Sequence, residues 1–143
     1  MRSLIALLAL ASPATAWVAS SEGPVCRLSL QLEAATVEVT HDARRALPYA
    51  IDIARTEAWT DAPVFAMRFD GMGPITITTD RHKLSEDATS LTVMARGFGN
   101  VLSGLENNFV ALAVLGDFAL TIPLEGAPPE VAKFRSCALA TGT

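Results

Sequence analysis

The chain has 143 residues, half of them hydrophobic, and a formal net charge of −4. That length suits a single domain and carries enough apolar material for a true core. The acidic balance and the presence of only two lysines, Lys83 and Lys133, exclude a nucleic-acid partner, which needs clustered cations to displace phosphate counterions.

The chain opens with a short basic start, "MR", an apolar run, "SLIALLALA", and a helix-breaking proline before Ala14-Thr15-Ala16. That is the three-part pattern of a cleaved secretory signal, with small residues where the peptidase grips. Cleavage is expected after Ala16, leaving residues 17–143 as one β-rich domain in the periplasm or the medium. The apolar run is too short for a permanent membrane anchor, so no transmembrane segment is expected after cleavage. No cysteine sits at the cleavage point to carry a lipid.

Beyond the leader the apolar pattern has period two, which is strand spacing. "RLSLQL" places Leu28, Leu30 and Leu32 on one face, and "ATVEVTH" does the same with Ala35, Val37 and Val39. "YAIDIAR" offers Tyr49, Ile51 and Ile53, and "VFAMRFD" offers Phe65, Met67 and Phe69. "ITITTD" and "SLTVMAR" repeat the alternation. "DAP", "GMGP" and "SEDATS" supply turn residues between these runs.

"RGFGNVLSGLENN", Arg96 to Asn108, resembles a phosphate loop but breaks both known patterns. A dinucleotide loop would need glycine where Leu102 stands. A Walker loop would need lysine after Gly104, where Leu105 and Glu106 follow. No nucleotide is therefore expected. The stretch reads instead as a connector with a short helix, capped by Asn100, facing inward with Val101, Leu102 and Leu105, and ended by Asn107 or Asn108.

"FVALAVLGDFALTIPL", Phe109 to Leu124, predicts a hairpin around Gly116-Asp117 with both faces apolar. One face can pack on an opposing sheet. The other needs a cover, or it remains an interaction surface. The following "GAPPEVAKFRSCA" predicts a closing helix with Val131, Phe134 and Cys137 or Ala138 on one stripe, and this helix is the available cover. The only two cysteines, Cys26 and Cys137, lack the Cys-x-x-Cys spacing of redox or metal chemistry and are expected to form one disulfide in an exported chain. The whole pattern predicts a mainly β fold. Its form is an antiparallel sandwich or partly closed barrel of seven to eight strands, with one short inserted helix and a C-terminal helix.

Few residues suggest chemistry. His41 and His82 lie near Asp42, Asp80, Glu86 and Asp87 in sequence, and two histidines with a carboxylate can hold zinc or iron. No short ligand spacing supports such a site, and no metal or other cofactor is expected. There is no G-x-S-x-G elbow, and "DRH" at Asp80–His82 is not the kinase order. Ser85, Ser90 and Ser103 read as loop and capping residues, and Trp59 as a core aromatic at a strand end.

The leader, a tryptophan shortly before the first cysteine (Trp17, Cys26), the β-rich middle and the closing "PLEGAPPEVAKFRSC" together resemble small exported alphaproteobacterial proteins of the invasion-associated locus B type. The resemblance spans the plan of the mature chain and is detailed only over the last fifteen or so residues. It implies a fold ending in an apolar strand, a glycine and a short helix, and it carries over no catalytic residue. The leading expectation is a non-enzymatic envelope or secreted module. It would act through an unidentified envelope protein or through self-association by an apolar surface. The alternatives are a small hydrolase or metal-dependent enzyme using His41 or His82, and a carrier of a small apolar ligand in an internal cavity.

Overall fold

Alternating apolar and polar side chains make strands because successive residues of an extended backbone face opposite sides. A computed structural model describes residues 16–141. All of the expected leader except Ala16 lies outside the described residues. The elements are β1 (Val18–Glu22), β2 (Val25–Gln31), β3 (Ala35–Asp42), β4 (Tyr49–Arg55), β5 (Phe65–Gly71), β6 (Ile75–Thr79), β7 (Lys83–Leu84), β8 (Ser90–Ala95), α1 (Gly99–Asn107), β9 (Asn108–Leu115), β10 (Phe118–Pro123) and α2 (Ala127–Thr141).

All strand pairs are antiparallel and form two sheets, β1-β2-β3-β4-β8-β7 and β10-β9-β5-β6. They make a sandwich that does not close into a barrel. The expected alternation is present, and register turns it into rows. Leu28, Val39, Ile51 and Val93 lie side by side across the larger sheet, next to a second row of Leu30, Val37, Ile53 and Leu91. On the smaller sheet Ala111 sits between Phe69 and Ile122, and Ala113 between Met67 and Leu120. Small residues on β9 thus make room for large neighbours, which lets a core reach high packing density without strain. Each fully buried Leu, Ile or Phe in these rows contributes about 1.5–3 kcal/mol.

The strand count exceeds the expected seven to eight because β1 and β7 carry no strand signal. "VASSE" is mostly exposed and polar, and β7 has two residues. Their pairing is supplied by β2 and β8. The predicted two-residue turn at Gly116-Asp117 is present, with Gly116 in the left-handed region at φ 60°.

α1 packs on β5, β6 and β9, α2 packs on β1, β2 and β3, and the helices pack on each other. Together they bridge the two sheets. Val131, Phe134 and Ala138 form the buried stripe of α2. Cys137 bonds to Cys26 with Cα atoms 6.0 Å apart, joining α2 to β2. The expectation that α2 covers the Phe109–Leu124 hairpin is corrected, since no Cα of α2 lies within 8 Å of β9 or β10. The helix turns toward the other sheet, where Val131 and Phe134 are buried and the disulfide holds it.

α1 also differs in detail. Phe98, not Asn100, is its N-cap, and no side chain caps it. Val101, Leu102 and Leu105 are buried as expected, and Gly104 joins them. A Cβ at Gly104 would lie 2.6 Å from the Phe69 ring, so this glycine serves close packing within the helix and not chain flexibility. Asn108 ends the helix by side-chain bonding: its Nδ2 donates to Gly104 O (3.0 Å) and Gly73 O (2.8 Å), and its Oδ1 accepts from Gly73 N–H (3.1 Å). Trp59 is a core residue, buried edge-on against Phe65 and Phe118 with its indole N–H donating to Ile53 O.

Candidate functional site

A sandwich leaves strand edges, and here two of them face a gap. β8 is paired by β4 along its length but by β7 only at Leu91 and Thr92. β6 is paired by β5 alone. No Cα of β6 lies within 8 Å of β8 or β7, whereas neighbouring strands sit about 5 Å apart. Between them opens a cleft of about 1150 Å³. Its apolar lining includes Ile51 and Val93 from the larger sheet, Phe65, Met67 and Ile77 from the smaller one, and Phe98 before α1. Ile77 and Val93 are half-buried, and Leu47 and Met94 at the cleft are 38% and 37% exposed. Pockets for drug-sized ligands run to roughly 300–1,000 Å³ with mostly apolar walls, so this open cleft has ample size.

The rim is polar. Asp80, Arg81 and His82 come from the β6–β7 connection, Lys83 begins β7, Arg96 follows β8, and Gly99 and Asn100 begin α1. The predicted chemistry-bearing residues thus divide. His82 lines this cleft. Its Nε2 stands 3.0 Å from Asp61 Oδ1 and 3.0 Å from Ala62 O, and its Nδ1 is buried without a partner. Two acceptors against Nε2 fix the proton there in the neutral ring and leave Nδ1 as an acceptor. The carboxylate beside His82 is therefore Asp61, and neither Asp80 nor Glu86 nor Asp87 bonds to its ring.

His41 sits elsewhere, paired across from Cys26 on β2 and edge-on to Tyr49, with ring centroids 4.7 Å apart. Burial holds its pKa below the ordinary histidine value and Arg45 adds to this, while Asp42 opposes. Asp42 itself is engaged by Arg44, which donates from Nε (2.9 Å) and Nη2 (2.8 Å) and holds the carboxyl well below its usual range. Asp87 organises its own turn by accepting from Ser85 Oγ and from the hydroxyl and N–H of Thr89, which lowers its pKa. The histidines share no carboxylate, and among the described residues no three His, Cys, Asp or Glu side chains are grouped to hold a metal ion.

Arg81, Lys83 and Arg96 as one rim were not legible in the sequence. "DRHKLSED" mixes both charges, and Arg96 arrives from another strand.

A second exposed feature is the outer face of the smaller sheet. Val110, Leu112 and Val114 of β9 are half-buried beside the exposed Ala119, and Phe109 is 69% exposed. Arg68 and Asp70 form an ion pair on the same face. Among the described residues, no helix is long and apolar enough to cross a membrane. No family model matches the chain, and no curated protein or solved structure gives a match.

Proposed function

We propose that this protein is an exported, non-enzymatic binding module that holds a small ligand in the cleft between β6 and β8. The observation that carries the reading is the gap itself. Ile77 and Val93, one from each inner face, stay half-buried there, although Leu28, Val39 and Ile51 in the same row as Val93 are buried. Leaving such surface open costs about 25 cal/mol per Å² relative to burial, and a ligand recovers it. The Cys26–Cys137 disulfide supports an oxidising location, periplasmic or extracellular, in keeping with the leader and with the resemblance to exported proteins.

Native mass spectrometry of the protein purified from the cell or medium that exports it tests the reading. A co-purifying small molecule is expected on the wild type and not on Val93→Trp or Met67→Trp, which fill the cleft. Bare protein throughout, together with no binding of the neutral apolar probe N-phenylnaphthylamine, overturns it.

The outer face of β9 favours a second reading, association with an envelope protein or with another copy through Phe109, Val110, Leu112 and Val114. Sedimentation that depends on protein concentration, abolished by Leu112→Lys, would support self-association. A monomer at all concentrations removes it.

A further inference from the structure

We propose that the cleft takes a single-chain amphiphile whose head is an anion, a carboxylate or phosphate monoester, with the apolar chain on the cleft floor and the head at the rim. The inference rests on the reading of the cleft as a ligand site and adds the chemical class.

Charge accounting points to an anion. Arg27 pairs with Glu38 and Glu22, Arg44 with Asp42, Arg68 with Asp70, Lys133 with Glu130 and Arg135 with Glu106. Arg45 donates to Thr40 Oγ1 and Pro48 O, and Arg55 lies over the Phe118 and Trp59 rings. Among the Arg and Lys side chains of the described residues, only those of Arg81, Lys83 and Arg96 have no hydrogen-bond, ion-pair or ring partner, and all three line the cleft. The lining itself holds one carboxylate, Asp80, and Asp61 stands beside His82, so the cations remain in excess. In a chain of net charge −4, three unpartnered cations at one opening make a local field of the opposite sign, focused by the low-dielectric walls.

The start of α1 adds donors to the same rim. The first helical bond is Leu102 N–H to Phe98 O, at 2.8 Å. The N–H groups of Gly99, Asn100 and Val101 precede it, and no side chain caps them. Such groups, with the positive end of the helix dipole, favour an anion. The His82 side chain, 5% exposed, also lines the cleft, and its Nδ1 has no hydrogen-bond partner.

A peptide strand inserted between the open edges of β6 and β8 would satisfy backbone groups but would leave the cation cluster and helix terminus unused. That occupant is an arm of the test.

The test is calorimetric titration of the oxidised mature protein with dodecanoate, dodecyl phosphate, dodecanol and dodecyltrimethylammonium below their micelle thresholds. An acidic peptide of extended sequence is run beside them. Both anions are expected to bind at least about tenfold tighter than the alcohol, the cation not to bind, and the anion preference to shrink at high salt. The more tightly bound anion identifies the head as carboxylate or phosphate. Arg81→Gln/Lys83→Gln/Arg96→Gln, all exposed positions, should bring the anions to the level of the alcohol and leave the alcohol unchanged. Equal binding of alcohol and anions overturns the head assignment while the cleft stands as an apolar site. Binding of the peptide in preference to the amphiphiles overturns the ligand class. No binding of any of them overturns the cleft reading as well.

Discussion

Glu130 Oε1 accepts a hydrogen bond of 2.9 Å from the Ala19 backbone N–H, so a carboxylate in the first turn of α2 satisfies an amide of the edge strand β1. Lys133 Nζ holds the other oxygen at 2.9 Å. One side chain thereby stabilises a helix N-terminus, protects an exposed sheet edge, and joins the two ends of the described chain close to the Cys26–Cys137 bond.

That carboxylate makes stability depend on acid. The Ala19 N–H, then Lys133, depress the Glu130 pKa. A depressed pKa gives stability that is complete above the unfolded value, about 4.3, and lost as pH falls through the lower folded value. Glu130→Gln should lower the urea midpoint at pH 7, with the difference from wild type shrinking as pH falls below about 4. A constant difference across that range would refute the linkage.

His41 acts in the opposite part of the scale. Its pKa is lowered chiefly by burial, so its neutral form is favoured in the fold. Its contribution is complete above about 6.5 and declines as pH falls from there toward the folded value. His41→Phe keeps the ring against Tyr49 and removes the buried, unpartnered Nδ1. The variant should lose the decline in stability between neutral pH and pH 5. Denaturant melts at several pH values read this directly.

The disulfide closes a separation of 111 residues. On the loop-entropy model, Cys26→Ser/Cys137→Ser should lose about 4–5 kcal/mol, seen as a lower melting temperature. Reduction of the wild type should reproduce the loss, and an unchanged melting temperature after reduction would show that the helix and Glu130 suffice.

Gly104→Ala should destabilise the protein although alanine favours helices by about 1 kcal/mol. The added methyl meets the Phe69 ring, and overpacking of this kind costs about 1–3 kcal/mol. In a double-mutant cycle, Phe69→Leu should recover part of that cost, whereas additive losses would place the strain elsewhere.

Much of this molecule was written in local pattern. Leu28 and Leu30, Val37 and Val39, and Ile51 and Ile53 face inward because a strand repeats every two residues. Val131, Phe134 and Ala138 do so because a helix repeats every 3.6. The single cysteine pair left one intramolecular bond to form. Tertiary structure decided what period cannot encode. Alternation is the same in a barrel and a sandwich, so whether β6 meets β8 depends on twist and on what the helices hold apart. α2 packed on β1 and β2, not over the Phe109–Leu124 hairpin, with its apolar stripe buried there and Cys137 bonded to Cys26. Arg81, Lys83 and Arg96 became one rim only when two strand ends and a helix start met across the open edge. Convergence of that kind is a property of register and closure, which no stretch of sequence carries alone.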